Sequence, residues 1–224
     1  MREHKFFGVF SKKDTKGRVK LYTESLTPGI KYFDEEFERF DGREFRHWDA
    51  RRSKLAAGIV NELSQIGLRP GNDVLYLGAS HGYTVTFVSD IVGREGFVFA
   101  LDFAPRVVRD LVFVCEKRKN IAPILGDANQ PNTYKHRIHP VDIVFMDVAQ
   151  RNQGEIFLKN CHAYLKKDGF GILAVKSRSV DITKKPKEIY VAIRQQLEKE
   201  ITIVDYKTLD PYEKDHCIFV CKKK

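Results

Sequence analysis

The chain of 224 residues lacks any apolar run long enough to cross a membrane, and its N-terminus lacks a hydrophobic signal segment. It has only four cysteines, and no second Cys or His pair stands at zinc spacing beside Cys217 and Cys221. These absences argue against a membrane protein, a disulfide scaffold and a metal site. We therefore expect a cytoplasmic protein without bound metal, whose thiols are reduced and mostly buried.

Internal repeats and low-complexity tracts are absent, and acidic residues are in deficit. Lys and Arg number 39 against 30 Asp and Glu, which gives a net charge of +9. A basic balance of this size favours a polyanionic partner, most simply nucleic acid, although a solvated basic surface is the alternative. Apolar residues form 42% of the chain, enough for the core of one domain with a small appendage.

The Gly-x-Gly-x-x-Gly fingerprint of dinucleotide sites is also missing, but a related turn is present. The apolar run 73–77 leads into a Gly-x-x-x-Gly turn formed by Gly78 and Gly82, where a Cβ would block close approach of a ligand. Asp102 ends the next apolar run, and it could accept hydrogen bonds from a ribose or cap the helix ahead of Pro105. This layout predicts a site for one nucleoside, such as S-adenosylmethionine, rather than for NAD.

Residues 1–50 differ in pattern from the rest of the chain. Short alternations of apolar and polar residues at 4–10 and 19–26 flank a turn, which predicts a hairpin. We interpret residues 1–50 as a small β-rich N-terminal subdomain packed on the main domain, residues 51–224.

The main domain begins with a helical pattern that Asp49 could cap and Gly67 could stop. Strands are predicted at 73–77, 97–101, 121–125, 141–146 and 170–175, and helices at about 84–92, 105–118, 153–165 and 186–199. This alternation predicts an α/β fold with a parallel sheet covered on both faces. The last strands, 201–209 and 216–222, must pair antiparallel, because their connection is too short for a parallel crossover.

Ligands of open α/β sheets bind at the carboxyl ends of the strands, and these ends carry polar groups. The candidates are Gly78, Ala79, Gly82, Tyr83, Thr84, Asp102, Phe103, Asp127, Ala128, Asp147, Val148, Ala149 and Gln150. Phe103 could lie against an adenine ring, and Asp127 could accept from its amino group, although Asp127 also fits an ordinary turn. Asp147 lies near the sheet centre, where a carboxylate can stabilise a sulfonium.

Lys176 ends the strand after Asp147, and a lysine there is costly to bury unless it is paired. We expect Asp147 on the neighbouring strand to be its partner, and a surface lysine is the alternative. Lys54 on the first helix and His216 at the start of the last strand are unremarkable taken alone.

Several motifs together resemble the fibrillarin family, the RNA 2′-O-ribose methyltransferases of box C/D ribonucleoproteins. They are Val74–Ala79, Val88–Gly93, Asp102-Phe103, Arg109-Asp110, Asp147–Gln150 and Pro211–His216. The resemblance covers nearly the whole chain, and the lack of a Gly/Arg-rich N-terminal extension is typical of the archaeal form. Tyr83 and Asp102 stand where the eukaryotic pattern usually has Thr and Glu, and His81 replaces a small residue.

The resemblance implies a Rossmann-like, seven-stranded S-adenosylmethionine-dependent methyltransferase fold with a small N-terminal β subdomain. It implies donor contacts at the strand ends named above and a catalytic tetrad formed by Lys54, Asp147, Lys176 and His216. We expect a lysine of lowered pKa to take the ribose proton, with Lys176 preferred as base and with Lys54 and His216 orienting the hydroxyl.

The resemblance also implies box C/D guide RNA, target rRNA or tRNA, a Nop-type scaffold protein and a kink-turn-binding ribosomal-type protein as partners. The apolar N-terminal hairpin could also pair with a copy of itself. Two alternatives stay open: a methyltransferase with a different acceptor, and a non-catalytic RNA-binding scaffold on the same fold. A scaffold would be expected to have a degraded donor site, whereas both glycines and the strand-end carboxylates are present.

Overall fold

The structure is a computed structural model that describes residues 1–224, and its chain folds into two sheets. The first sheet is antiparallel, in the order β1-β2-β3-β5-β4. Its strands are β1 Arg2–Glu3, β2 Val9–Lys13, β3 Val19–Glu24, β4 Phe37–Phe40 and β5 Arg43–Trp48. The predicted hairpin is confirmed as β2–β3, with Val9 opposite Thr23. It begins at Val9 rather than His4, because His4 to Gly8 form a turn closed by the His4 N–H donating to the Val9 carbonyl.

The second sheet has seven strands in the order β11-β12-β10-β9-β6-β7-β8. Its strands are β6 Asp73–Leu77, β7 Phe97–Asp102, β8 Ile121–Leu125, β9 Val141–Met146, β10 Leu165–Lys176, β11 Thr202–Thr208 and β12 His216–Lys222. The helices are α1 Lys54–Val60, α2 Tyr83–Val92, α3 Pro105–Lys117, α4 Gln153–Tyr164, α5 Ser177–Val180 and α6 Pro186–Glu198, with a 3-10 helix at Pro131–Arg137. The predicted α/β fold is confirmed, and β12 pairs antiparallel with both β10 and β11. None of the helices is both long and apolar enough to span a bilayer.

The sheet is covered on both faces, which explains why its central strands are continuous apolar runs. Alternate residues of β6 point to opposite faces, so Val74 and Tyr76 belong to one core and Leu75 and Leu77 to the other. The first core contains residues of α1, α2, α3 and the N-terminal sheet, and the second contains residues of α4 and α6. The carboxyl ends of the parallel strands are left uncovered by this arrangement.

The expectation for the first helix was wrong at both ends. Ser53, not Asp49, caps α1, because its backbone is extended and its hydroxyl accepts from the Ala56 N–H. The helix ends at Val60 rather than near Gly67, since Glu62 adopts a left-handed conformation with φ of 63°.

Asp90 on α2 joins the N-terminal sheet to the second sheet. One carboxylate oxygen accepts from the Thr23 hydroxyl and an Arg46 nitrogen, both at 2.7 Å. The other accepts from the Leu26 N–H at 3.1 Å and forms an ion pair with an Arg118 nitrogen at 2.7 Å. The side chains of both arginines and of Asp90 are fully buried. The N-terminal sheet is thus joined to the second sheet through the first of the two cores. A domain boundary at residue 50 stays a prediction.

Candidate active site

The glycine turn after β6 lies directly against the end of β9. Gly78 has φ of 81°, and a Cβ added to it would lie 2.4 Å from the carbonyl oxygen of Asp147. Gly82 has φ of 95° at the start of α2, where a Cβ would lie 2.8 Å from a methyl carbon of Leu111. The two glycines are thus required by backbone conformation and by close packing, and they leave open space above the turn.

Two adjoining cavities, of about 770 Å³ and 130 Å³, lie over the ends of the strands. They are lined by all the predicted donor residues except Gly82: Ala79, Tyr83 and Thr84 in the larger cavity, Asp102, Phe103, Asp127, Ala128, Val148, Ala149 and Gln150 in the smaller, and Gly78 and Asp147 in both. The fold therefore brings these residues together, and their contact with a donor stays a prediction.

Asp102 is held in a fixed orientation at the rim of the smaller cavity. One oxygen accepts from the Ser80 N–H at 2.9 Å and the other from the Ala104 N–H at 3.0 Å. Ala104 precedes α3 and has no side chain that can cap it, so Asp102 contributes to the helix start as well. Because a carboxylate oxygen can accept more than one hydrogen bond, each still has capacity for a ribose hydroxyl.

Amide side chains that sequence reasoning missed tie together the loops after β8 and β9. Asp127 accepts from the Asn129 N–H at 2.9 Å, and the Asn129 side chain donates to Gln150 at 2.7 Å. Buried Asn160 donates to the Ala128 carbonyl at 2.9 Å. These bonds fix the floor of the smaller cavity before any ligand enters. Their signal in the sequence is weak, because isolated Asn residues in loops and helices are ordinary.

The partner of Asp147 is Lys54, not Lys176 as the sequence suggested. The Lys54 ammonium lies 2.9 Å from an Asp147 carboxylate oxygen, and their side chains are 19% and 24% exposed. Burial lowers the pKa of Lys54, but the charge of Asp147 and the hydrogen bond to it outweigh burial and raise the pKa overall. Lys54 starts α1 directly after its cap, Ser53, whose hydroxyl accepts from Thr84 at 3.1 Å. Lys54 is therefore a charged, oriented donor at the wall of the larger cavity.

Lys176 and His216 face each other across the β10–β12 pair and line neither cavity. Lys176 forms no ion pair and its side chain is exposed, in agreement with the alternative of a surface lysine. Gln153 is fully buried and holds the Lys176 backbone at both its N–H, 3.1 Å, and its carbonyl, 3.2 Å. The same amide donates to the Gln150 carbonyl at 2.8 Å, which links the β9 loop to the end of β10. His216 Nδ1 lies 2.7 Å from a carbonyl, to which it can only donate, so neutral His216 has Nε2 free as an acceptor.

These features fit a nucleoside with a charged reactive end. Gly78 lines both cavities and packs directly against the Asp147 backbone, Asp102 has acceptor capacity, and Asp147, which pairs with Lys54, also lines both cavities. No group of three or more His, Cys, Asp or Glu side chains is placed to hold a metal ion. Fold and site together define a protein of the S-adenosylmethionine-dependent methyltransferase class.

Comparison with known proteins makes the assignment more specific. The chain belongs to the fibrillarin family, whose model, described as "Fibrillarin", matches residues 1–224. A fibrillarin-like rRNA/tRNA 2′-O-methyltransferase of Thermococcus onnurineus is 45% identical, over 100% of this chain and 99% of that protein.

Two solved structures show the same fold over nearly the full length. Aeropyrum pernix fibrillarin, in complex with natively bound S-adenosyl-L-methionine, superposes with a TM-score of 0.90 at 37% identity. That match covers 98% of this chain and 96% of the other. A fibrillarin/Nop5p complex matches with a TM-score of 0.89 at 33% identity, over 99% of this chain and 100% of the other.

Proposed function

We propose that this protein transfers the methyl group of S-adenosylmethionine to ribose 2′-hydroxyls of RNA, as the catalytic subunit of a box C/D ribonucleoprotein. The observation that carries the proposal is the Lys54–Asp147 ion pair, 2.9 Å long, at the boundary of two cavities built from the strand ends. The name of the Thermococcus relative, an rRNA/tRNA 2′-O-methyltransferase, supports rRNA and tRNA as substrates.

The smaller cavity suits the adenosine of the donor. Asp102 would accept from the ribose hydroxyls, and Asp127 and the Ala128 backbone would bind the adenine edge. Phe103 is 67% exposed beside Asp102, so its ring is available to stack on adenine. The methionine end would lie along Gly78–Thr84 in the larger cavity, which ends at Lys54. The product, S-adenosylhomocysteine, would use the same contacts.

The chemical difficulty lies in the acceptor, which is a weak nucleophile. When bound, S-adenosylmethionine supplies a methyl group on a positively charged sulfur, already activated for transfer. Lys54 stays protonated at neutral pH, because Asp147 raises its pKa, so it would orient the 2′-hydroxyl rather than take its proton. Lys176 would accept that proton from its exposed position at the end of β10, outside both cavities, and His216, opposite it across the β10–β12 pair, would help to orient the 2′-hydroxyl. Positioning of this kind can lower the activation barrier by roughly 7–11 kcal/mol in favourable cases.

The partners follow from the same assignment. A relative has been solved as a fibrillarin/Nop5p complex, which supports a Nop-type scaffold for this chain. A box C/D guide RNA would select the target nucleotide, and a kink-turn-binding protein would organise that guide. The net charge of +9 suits such an RNA-rich assembly inside the cytoplasm. Self-association through the N-terminal hairpin is a further arrangement open to the chain.

The test is methyl transfer in a reconstituted complex. Labelled S-adenosylmethionine, guide RNA, scaffold and kink-turn proteins are combined with target RNA that has either an unmodified or a 2′-deoxy target nucleotide. We expect label in the unmodified target alone, and poor transfer by the isolated chain. Equal label in the 2′-deoxy target would indicate a different acceptor, and no label in either would indicate a non-catalytic scaffold.

A further inference from the structure

A third cavity lies at the opposite end of the sheet from the glycine turn, near the amino ends of β7 and β8. Its volume is about 350 Å³, and its lining residues are Leu26, Thr27, Arg94, Phe97, Lys117, Arg118, Lys119 and Asn120. Four of these eight residues are cationic and none is acidic. We call the cavity lined by Arg94, Lys117, Arg118 and Lys119 the basic pocket.

The exposed cations of the basic pocket have no acidic partners. Arg94, Lys117 and Lys119 are exposed and form no ion pair, although many other surface cations of the chain do. The carboxyl ends of α2 and α3 point to this region and attract cations, each with about half a negative charge. Those two ends oppose about one of the three unit charges, and the exposed neighbours Glu95 and Glu116 oppose part of the rest, but no carboxylate lines the pocket itself.

Arg118 provides an independent observation. Its side chain is fully buried, and Nη1 donates to the Ser89 hydroxyl and the Thr86 carbonyl and forms an ion pair with Asp90. Its Nε and Nη2 are buried without any hydrogen-bond partner. Buried donors are paired in the great majority of cases, because leaving them unpaired costs about 1–3 kcal/mol. Unused donors on a residue that lines a cationic cavity call for an acceptor-rich occupant.

The larger cavity extends along α3 from the candidate active site to the basic pocket. Lys117 lines both the basic pocket and the larger cavity, which also contains Lys54. Phe113, one turn earlier on α3, is 60% exposed and also lines the larger cavity, where it offers a surface on which a base can stack. A strand that passes over the active site can therefore follow α3 to the pocket.

We infer that the basic pocket binds a backbone phosphate of the substrate RNA, on the strand whose ribose is methylated beside Lys54 and Asp147. This inference rests on the proposed function, and it adds a specific anchoring point for the acceptor. The phosphodiester oxygens supply only acceptors, which match the cations and the unused Arg118 donors. A free phosphate ion offers the same chemistry, so the experiment must separate the two sources.

The test compares two triple variants of equal charge. The pocket variant is Arg94→Gln, Lys117→Gln and Lys119→Gln, and the control is Lys13→Gln, Lys187→Gln and Lys199→Gln, three exposed and unpaired lysines elsewhere. Arg118 is left unchanged, because its loss would unbalance buried Asp90. Binding of a labelled single-stranded RNA to the full chain, without donor, is followed by fluorescence anisotropy over a series of KCl concentrations. Thermal unfolding confirms that both variants are folded.

We expect about tenfold weaker binding by the pocket variant at low salt, with a plot of log K against log salt shallower by about 0.7, the value for one phosphate of a single strand. The control variant should lose clearly less RNA affinity than the pocket variant. Equal losses in both variants, or no loss in the pocket variant, would overturn the inference. Inorganic phosphate at matched ionic strength should displace RNA from the wild type more than chloride does, and this difference should vanish in the pocket variant.

Saturable phosphate binding with RNA affinity unaffected by the pocket substitutions would show a free-anion site and reject the RNA assignment. Because binding is measured without methyl transfer, its result is separate from that of the proposed function. Absence of methyl transfer by the reconstituted complex would contradict the proposed function. The RNA-binding comparison tests only whether the basic pocket binds RNA.

Discussion

Replacing Asp147 by Asn should leave the Lys54 ammonium in a largely buried position without a counter-charge. At 2.9 Å and an effective dielectric constant of about 20, their attraction is about 6 kcal/mol. Desolvation of the two ions opposes this by several kcal/mol. Because the side chains are 19% and 24% exposed, the substitution should cost more than the loss of a surface ion pair and less than the loss of a fully buried one. We expect the free energy of unfolding to fall by about 2–3 kcal/mol.

The measurement is a double-mutant cycle in urea denaturation, with Asp147→Asn, Lys54→Met and both together. We expect a coupling free energy of about 1–3 kcal/mol between the two positions. The raised pKa of Lys54 fixes the sign of the pH dependence. The contribution of the pair is complete below the unfolded pKa of lysine, 10.5, and is lost as the pH rises through the higher folded value. Additive single effects, or a coupling lost already near pH 7, would refute this reasoning.

Further substitutions and reagents test other parts of the structure. Asp90→Asn should lower the free energy of unfolding by about 3–5 kcal/mol in urea, because buried Arg118 loses its only carboxylate partner and buried Arg46 keeps only Glu35; an unchanged midpoint would contradict this. Gly78→Ala should abolish calorimetric binding of S-adenosylhomocysteine, since the new Cβ would lie 2.4 Å from the Asp147 carbonyl oxygen. Lys176→Ala should keep donor affinity and lose methyl transfer, so retained turnover would reject its role as base. Cys115 should react slowly with iodoacetamide at about pH 8, because burial raises the pKa of its thiol to about 12; labelling at the rate of a free thiol would argue otherwise.

The central sheet could be predicted because its strands are buried on both faces. Strands such as 73–77 and 141–146 are mostly apolar runs, in which only Asp73 and Asp142 are charged, and the structure confirms them. The predicted end of the first helix was wrong, because the apolar periodicity of the sequence continues to Ile66 while the backbone leaves the helical conformation at Asn61 and Glu62. Asn61 donates to the carbonyls of Thr208, the last residue of β11, and of Asp210, which is a tertiary contact that no local pattern encodes.

The grouping of the strand-end residues could be predicted from the sequence, whereas the pairing of Lys54 with Asp147 could not. Asp102 and Asp147 end apolar runs, so the sheet itself brings them to one rim. Lys54 reaches Asp147 across 93 positions of sequence, and on its own helix it resembles any solvated lysine. Asp90 and Arg118 likewise look like surface charges until the fold buries them together.

The most direct measurement is a calorimetric titration of the protein with S-adenosylhomocysteine, beside the variant Asp102→Ala. If the strand ends form one adenosyl pocket, the wild type should bind one equivalent saturably. The variant, which lacks the ribose acceptor at the rim, should bind at least about tenfold more weakly, the loss of one charge-assisted hydrogen bond. A wild-type protein that gives no saturable heat, or a variant that binds as well as the wild type, would contradict this reading of the site.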